Sequence, residues 1–198
     1  GTIMETTMKR LCTLMASFAL ALGLAFALTA CGPSDEEQIK EAIDAELGVV
    51  VEPTDEELDK LVEEIDTAGL SSQLKSFDID AKTLVSSWID GFAYEIGDIA
   101  VDGDTASAKV NVTCKPLYTV MEDWGDSFQK DAQSKGFTST DEIYAYAGKS
   151  IMSAIDSAEP VTTETTFDLE KDGGSWVLSD STANQNALIV AMVGEGAL

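Results

Sequence analysis

Cys31 closes the segment Leu28-Thr29-Ala30-Cys31, an order of residues on which a defined chemistry can act. An apolar residue, two small ones and a cysteine make up the bacterial lipobox. A peptidase must cut beside small side chains, and the thiol must reach the membrane interface to accept a diacylglyceryl group. Two acyl chains matter, because one myristoyl chain binds a bilayer only marginally, at about 10⁴ M⁻¹, whereas two anchor it stably. The residues upstream agree: Met8 is followed by Lys9 and Arg10, and Leu11 to Ala30 holds no charged side chain. Twenty uncharged residues are long enough to span a bilayer. The lipobox in register at their end, followed by the break Gly32-Pro33-Ser34, selects a cleaved lipoprotein signal instead. The expectation is a signal peptide over 1–30, lipidation (palmitate and diacylglycerol) at Cys31, a short tether over 31–34 and one domain over 35–198.

Other residue groups invite chemical readings that their surroundings oppose. Gly148-Lys149-Ser150 resembles the end of a phosphate-binding loop, but Ile143 stands where that loop needs its first glycine and the segment has helical spacing. Asp78 and Asp80, and Asp102 and Asp104, are paired carboxylates of the kind calcium takes. Neither pair continues into the glycine and distal glutamate of a calcium loop, so capping and turn roles are expected and no metal site is assigned. Cys114 continues an apolar strand face and reads as a buried structural thiol. Trp88, Trp124 and Trp176 lie on apolar stripes. Trp88, Trp176 and Tyr94 are the candidate lining of any pocket inside the domain.

Composition removes many activities. The 198 residues carry 36 acids, 12 bases and no histidine, a net charge of −24. Histidine-dependent acid–base chemistry, Ser-His-Asp triads and histidine zinc sites are thereby excluded. The negative charge opposes binding to nucleic acid or to an anionic surface. Loss of the signal removes Glu5, Lys9 and Arg10, leaving 168 residues with 35 acids and 10 lysines, a charge of −25. No arginine remains for bidentate recognition of phosphate or carboxylate. With Cys12 in the signal and Cys31 lipidated, Cys114 is left without a disulfide partner.

The elements that must position these residues follow from periodicity. Ser34 with Glu37 forms a capping box ahead of Ile39, Ala42, Ile43 and Leu47, predicting a helix that ends at Gly48. Thr54 with Glu57 opens a second, carrying Leu58, Leu61, Val62 and Ile65. Asp80 caps a third with Leu84, Val85, Trp88, Ile89 and Phe92. The period then becomes two: a strand around Tyr94 to Val101, the turn Asp102-Gly103-Asp104, and a return strand with Ala106, Ala108, Val110, Val112 and Cys114 on one face. Helical spacing resumes after Pro116, with Val120, Met121, Trp124 and Phe128, and again after Ser139, with Ile143, Tyr146, Ala147, Ile151 and Ile155. A second hairpin follows Pro160 and turns at Lys171-Asp172-Gly173-Gly174. A short helix or tail covers Ala183 to Val193. The order predicts an α+β domain, an antiparallel sheet of about four strands with helices packed on one face. No carboxylate stands visibly on an apolar face.

Lipobox, acidic helical start, Phe92 to Ile96 and the Val101 to Ala106 hairpin together resemble small Gram-positive-type lipoproteins of unknown function. The stretch Thr166 to Trp176 is similar to their terminal strand pair, with one extra residue between Gly173 and Trp176. Such proteins resemble the nuclear transport factor 2-like superfamily, which implies a cone: a curved sheet wrapped around helices. The resemblance brings no catalytic residues and no cofactor. The expected function is a membrane-anchored, non-enzymatic binding or interaction module at the extracytoplasmic face of the cell membrane. Its expected partners are the membrane through the lipid on Cys31, an unidentified protein or small apolar ligand, and no nucleic acid. The alternative is a small cone-fold enzyme of isomerase or hydratase type, with a carboxylate base and a tyrosine acid such as Tyr94 or Tyr118.

Overall fold

The computed structural model describes residues 33–66 and 69–198. The signal segment and Cys31 lie outside the described residues. Helix α1 (Asp35–Val51) opens with the expected capping box: the Ser34 hydroxyl accepts the Glu37 N–H at 3.3 Å, and the Glu37 carboxylate accepts the Ser34 N–H at 2.9 Å. It does not end at Gly48. A glycine disfavours a helix by about 1 kcal/mol, and burial of Val50 in the core outweighs this, so the helix runs on until Pro53 forbids it.

Helix α2 (Asp55–Asp66) follows its Thr54–Glu57 box, with Leu58 and Leu61 buried. A short helix α3 (Leu70–Lys75) was not expected, since six residues are too few to show a period. Helix α4 (Ala81–Ile89) starts at Asp80, whose carboxylate accepts the Thr83 N–H at 2.9 Å, and it buries the predicted Leu84, Val85, Trp88 and Ile89.

Strands β1 (Ala93–Asp102), β2 (Thr105–Cys114), β3 (Val161–Asp172) and β4 (Ser175–Leu178) form one antiparallel sheet in the order β1-β2-β3-β4. The two predicted hairpins join through β2 and β3, with Ala108 opposite Phe167 and Ala106 opposite Leu169. Small residues on β2 therefore face large ones on β3, which lets the inner surface pack without gaps. A bulge between Ile96 and Ile99 interrupts the edge strand β1, a feature that hinders pairing with another chain. The β3–β4 turn uses Gly173 and Gly174 at φ 59° and 90°, values that glycine adopts without strain.

Helices α5 (Leu117–Lys135), α6 (Thr140–Ser157) and α7 (Thr182–Val193) complete the chain, ahead of a 3₁₀ turn at Glu195–Ala197. Helix α7 lies along β3 and β2, while α1 contacts both edge strands, β4 and β1. Behind them α4 packs on α2 and α6, and α5 on α6 and α7. One hydrophobic core runs from the sheet's inner face through the helices that cover it. Thr105, Lys109, Thr162, Glu164, Thr166 and Glu170 leave the sheet's other face exposed and polar. The fold is thus α+β with helices against one face of a four-stranded antiparallel sheet, as the period changes required.

Ile143 and Tyr144 are exposed, so the buried stripe of α6 begins only at Ala147. The first turn of that helix projects past the core, and burial ceases to follow periodicity there.

Candidate functional site

Each aromatic expected to line a pocket makes a specific contact of its own. Trp88 is fully buried, and its indole N–H is shared between the Lys115 and Met192 carbonyls, both at 3.1 Å, tying α4 to the end of β2 and to α7. Trp176, on the edge strand β4, donates its indole N–H to the Asp35 carboxylate at 2.9 Å. Lys171 Nζ approaches the same carboxylate at 3.1 Å and lies 5.0 Å from the Trp176 ring centre. These contacts hold the Asp35 carboxyl below its usual range, the Trp176 hydrogen bond foremost. Tyr94, on β1, is half-buried and donates its hydroxyl to Asp44 of α1 at 2.7 Å. Its burial, and secondarily the Asp44 carboxylate, push the phenol up to about 12. Tyr118 packs its ring against Gly196.

Two open grooves among the described residues lie elsewhere. One, of about 420 Å³, runs between α5 and α6 and is bordered by Asp123, Trp124, Ser127, Phe128, Asp131 and Ser153. The other, of about 560 Å³, flanks the opposite side of α6 beside Asp78, Lys149, Met152 and Asp156. None of Trp88, Tyr94 and Trp176 borders either.

Trp124 and Phe128 line the first groove and belong to a ladder of rings that continues beyond it. Trp124 stacks on Phe128 at 5.0 Å between centroids, and Phe128 on Tyr146 at 6.0 Å. Trp124 donates its N–H to the Ser150 hydroxyl at 2.7 Å, which itself donates to the Ala147 carbonyl. The Tyr146 hydroxyl reaches Asp131 at 3.2 Å, and Lys135 covers its ring. A rigid aromatic wall beside serine hydroxyls and carboxylates suits a ligand with an apolar face and hydrogen-bonding edges.

The remaining motif residues have structural roles. Gly148 lies inside α6, not in a loop, and a Cβ there would stand 1.8 Å from the Phe77 carbonyl oxygen. The glycine lets the 77–79 segment lie directly on the helix. Asp78 adopts a left-handed φ of 57°, and Asp80 is the α4 cap. Among the described residues, no group of three or more acid or cysteine side chains is placed to hold a metal ion. Cys114 is buried, and burial pushes its thiol up to about 12, so it is inert at neutral pH.

Three polar residues escaped the sequence pattern. Lys115 is 4% exposed and gives its ammonium to the Ile155 and Asp156 carbonyls, at 2.9 and 3.3 Å, at the C-terminal end of α6 where a cation is favoured. Nearby, the Ser87 hydroxyl donates to the Asp156 carboxylate. Asn184 is buried in α7, accepts the Asp168 N–H and donates to the Asp168 and Ser179 carbonyls, all at 2.8 Å. Glu46 corrects the expectation that no carboxylate sits on an apolar face. Its Oε2 is buried without a hydrogen-bond partner, and burial raises the group from 4.5 to about 7. Its position was visible in the sequence: seven residues after Ile39 and four before Val50, it falls on the buried stripe of α1.

No helix among the described residues is long and apolar enough to cross a membrane. No protein-family model matches the chain, and no curated protein sequence matches it significantly. Among solved structures, the fold is similar to that of YcdA, a candidate lipoprotein from Bacillus subtilis, with a TM-score of 0.54 and 12% identity. The match covers 80% of this chain and 56% of that one, so this chain spans little more than half the length of that protein. At this identity the likeness establishes a shared fold.

Proposed function

We propose that the chain is a lipoprotein anchored through Cys31 at the extracytoplasmic face of the cell membrane, and that its domain is a non-enzymatic binding or interaction module. The anchor is supported by the lipobox and its basic n-region, by a folded domain whose first cap, Ser34, lies three residues beyond Cys31, and by the fold shared with a candidate lipoprotein. The cone-type superfamily belongs to the same reading, supported by α1 contacting both edges of the sheet.

One observation carries the non-enzymatic part. The groups that burial displaces furthest, Glu46, Tyr94 and Cys114, sit on three different elements, and none borders either of these two grooves. Active sites gather such groups in one cleft. The α5–α6 groove instead offers aromatic and hydroxyl surface for recognition.

Radiolabelled palmitate tests the anchor: incorporation into the wild type that is lost in Cys31→Ala supports it, and incorporation that persists in the variant refutes it. A thermal-shift and tryptophan-fluorescence screen with lipids and small apolar compounds tests the binding role. A hit abolished by Ser153→Tyr, which fills the groove, supports the module, and no response to any compound counts against a small ligand. The Tyr94–Asp44 pair favours a second, enzymatic reading. Turnover of a hydratase or isomerase substrate that disappears in Tyr94→Phe would replace the first reading.

A further inference from the structure

The start of α1 is bound to one end of the sheet. Asp35 takes the Trp176 indole and the Lys171 ammonium, and the Lys171 N–H in turn donates to the Asp104 carbonyl at 2.9 Å. The first turn of α1, the β3–β4 turn and the β1–β2 turn therefore share one pole of the domain. From Cys31 to Asp35 there are four residue steps, which reach about 14 Å when fully extended. The opposite end of the sheet, where Cys114 pairs with Val161, lies nine residues further along β2, about 30 Å away. With a tether this short the domain cannot stand inverted, with that far end on the bilayer and this pole about 30 Å above it.

We propose that this pole faces the lipid surface and that its charge holds it off anionic headgroups. This rests on the lipid-anchored reading above. The pole presents Asp35, Glu36 and Glu37 from the helix and Asp102, Asp104 and Asp172 from the turns, against Lys171, which Asp35 already engages. The tether's reach, about 14 Å, is a little under two Debye lengths of about 8 Å at physiological ionic strength. Repulsion from an anionic leaflet therefore acts as the pole comes within about 8 Å of it, and the domain stands off the headgroups rather than lying on them.

Full-length protein purified from membranes and reconstituted in vesicles provides the test. A dye is placed at Asp172→Cys, on the proposed membrane-facing pole, or at Glu159→Cys, near the far end. Both positions are exposed, and the buried Cys114 stays unlabelled in the folded protein. In phosphatidylcholine vesicles carrying a headgroup quencher, the dye at 172 should be quenched about threefold more than that at 159, given the roughly 30 Å between the two ends. In phosphatidylglycerol vesicles that difference should shrink at about 10 mM salt and return at about 0.5 M. Equal or reversed quenching in protein shown to carry fatty acid would overturn the orientation and leave the anchor standing. Salt-independent quenching on phosphatidylglycerol would overturn the electrostatic stand-off. Protein without fatty acid at Cys31 would overturn the anchor and this inference together.

Discussion

Glu46→Gln should stabilise the domain above neutral pH and leave it unchanged in acid. Glu46 lies between Ile39 and Val50 on the buried stripe of α1, and its Oε2 has neither water access nor a hydrogen-bond partner. Burial raises the carboxyl from 4.5 to about 7. Because the folded state holds this proton more tightly than the unfolded chain, folding is favoured below pH 4.5. The advantage declines as pH rises from 4.5 to 7, and above 7 the full penalty of a desolvated carboxylate remains. The displacement corresponds to at most about 3 kcal/mol. The side chain is only partly buried and water screens its other oxygen, so about 1–2 kcal/mol is the realistic size. Glutamine has the same shape without the charge. Urea unfolding followed by circular dichroism, for wild type and variant from pH 4 to 8, measures the difference. The other carboxylates titrate in both proteins and cancel. Equal stability at pH 4 and a variant more stable by about 1–2 kcal/mol at pH 8 are expected. A difference that does not change with pH, or a variant less stable at pH 8, would refute the assignment of a strained buried carboxylate.

Two glycines in helices should respond oppositely to alanine. Gly148→Ala drives a methyl into the Phe77 carbonyl and should destabilise by about 2 kcal/mol or more, whereas Gly125→Ala meets open space and should stabilise by about 0.5–1 kcal/mol, both read from urea midpoints. Asn184→Ala leaves the Asp168 N–H and the Ser179 carbonyl without their partner, while the Asp168 carbonyl keeps the Ser179 N–H, and should cost about 2–3 kcal/mol; a thermal midpoint unchanged from wild type would show that water replaces the amide. Cys114 should resist iodoacetamide in the folded protein at pH 8 and react promptly in urea, because its thiol is both buried and raised to about 12; fast native labelling would contradict the packing of β2.

Strict alternation made the β2 face legible, because each second residue of a strand must point inward: Ala106, Ala108, Val110, Val112 and Cys114 are all buried. Caps at Ser34, Thr54, Asp80 and Ser139 were legible because each satisfies orphan N–H groups a few residues away. Lys115 and Asn184 were not, since their partners lie 40 and 16 residues distant, and no local pattern marks a polar side chain that the fold will bury. Glu46 was readable by helical position, yet its polar type hid it among the solvent-facing acids.

The sequence by itself determines the longer elements, the α+β order, the absence of histidine chemistry and the lipobox at Cys31, because each depends on neighbours within a few residues or on composition; it shows neither the six-residue α3 nor the last turn of α1. Only the tertiary structure decides which carboxylate loses its water, which rings border a groove and which end of the sheet lies beside Ser34. These follow from contacts between distant segments, such as Asp35 with Trp176, 141 residues apart. Such contacts form only when the whole core closes, and burial then changes the chemistry of residues whose local surroundings are ordinary.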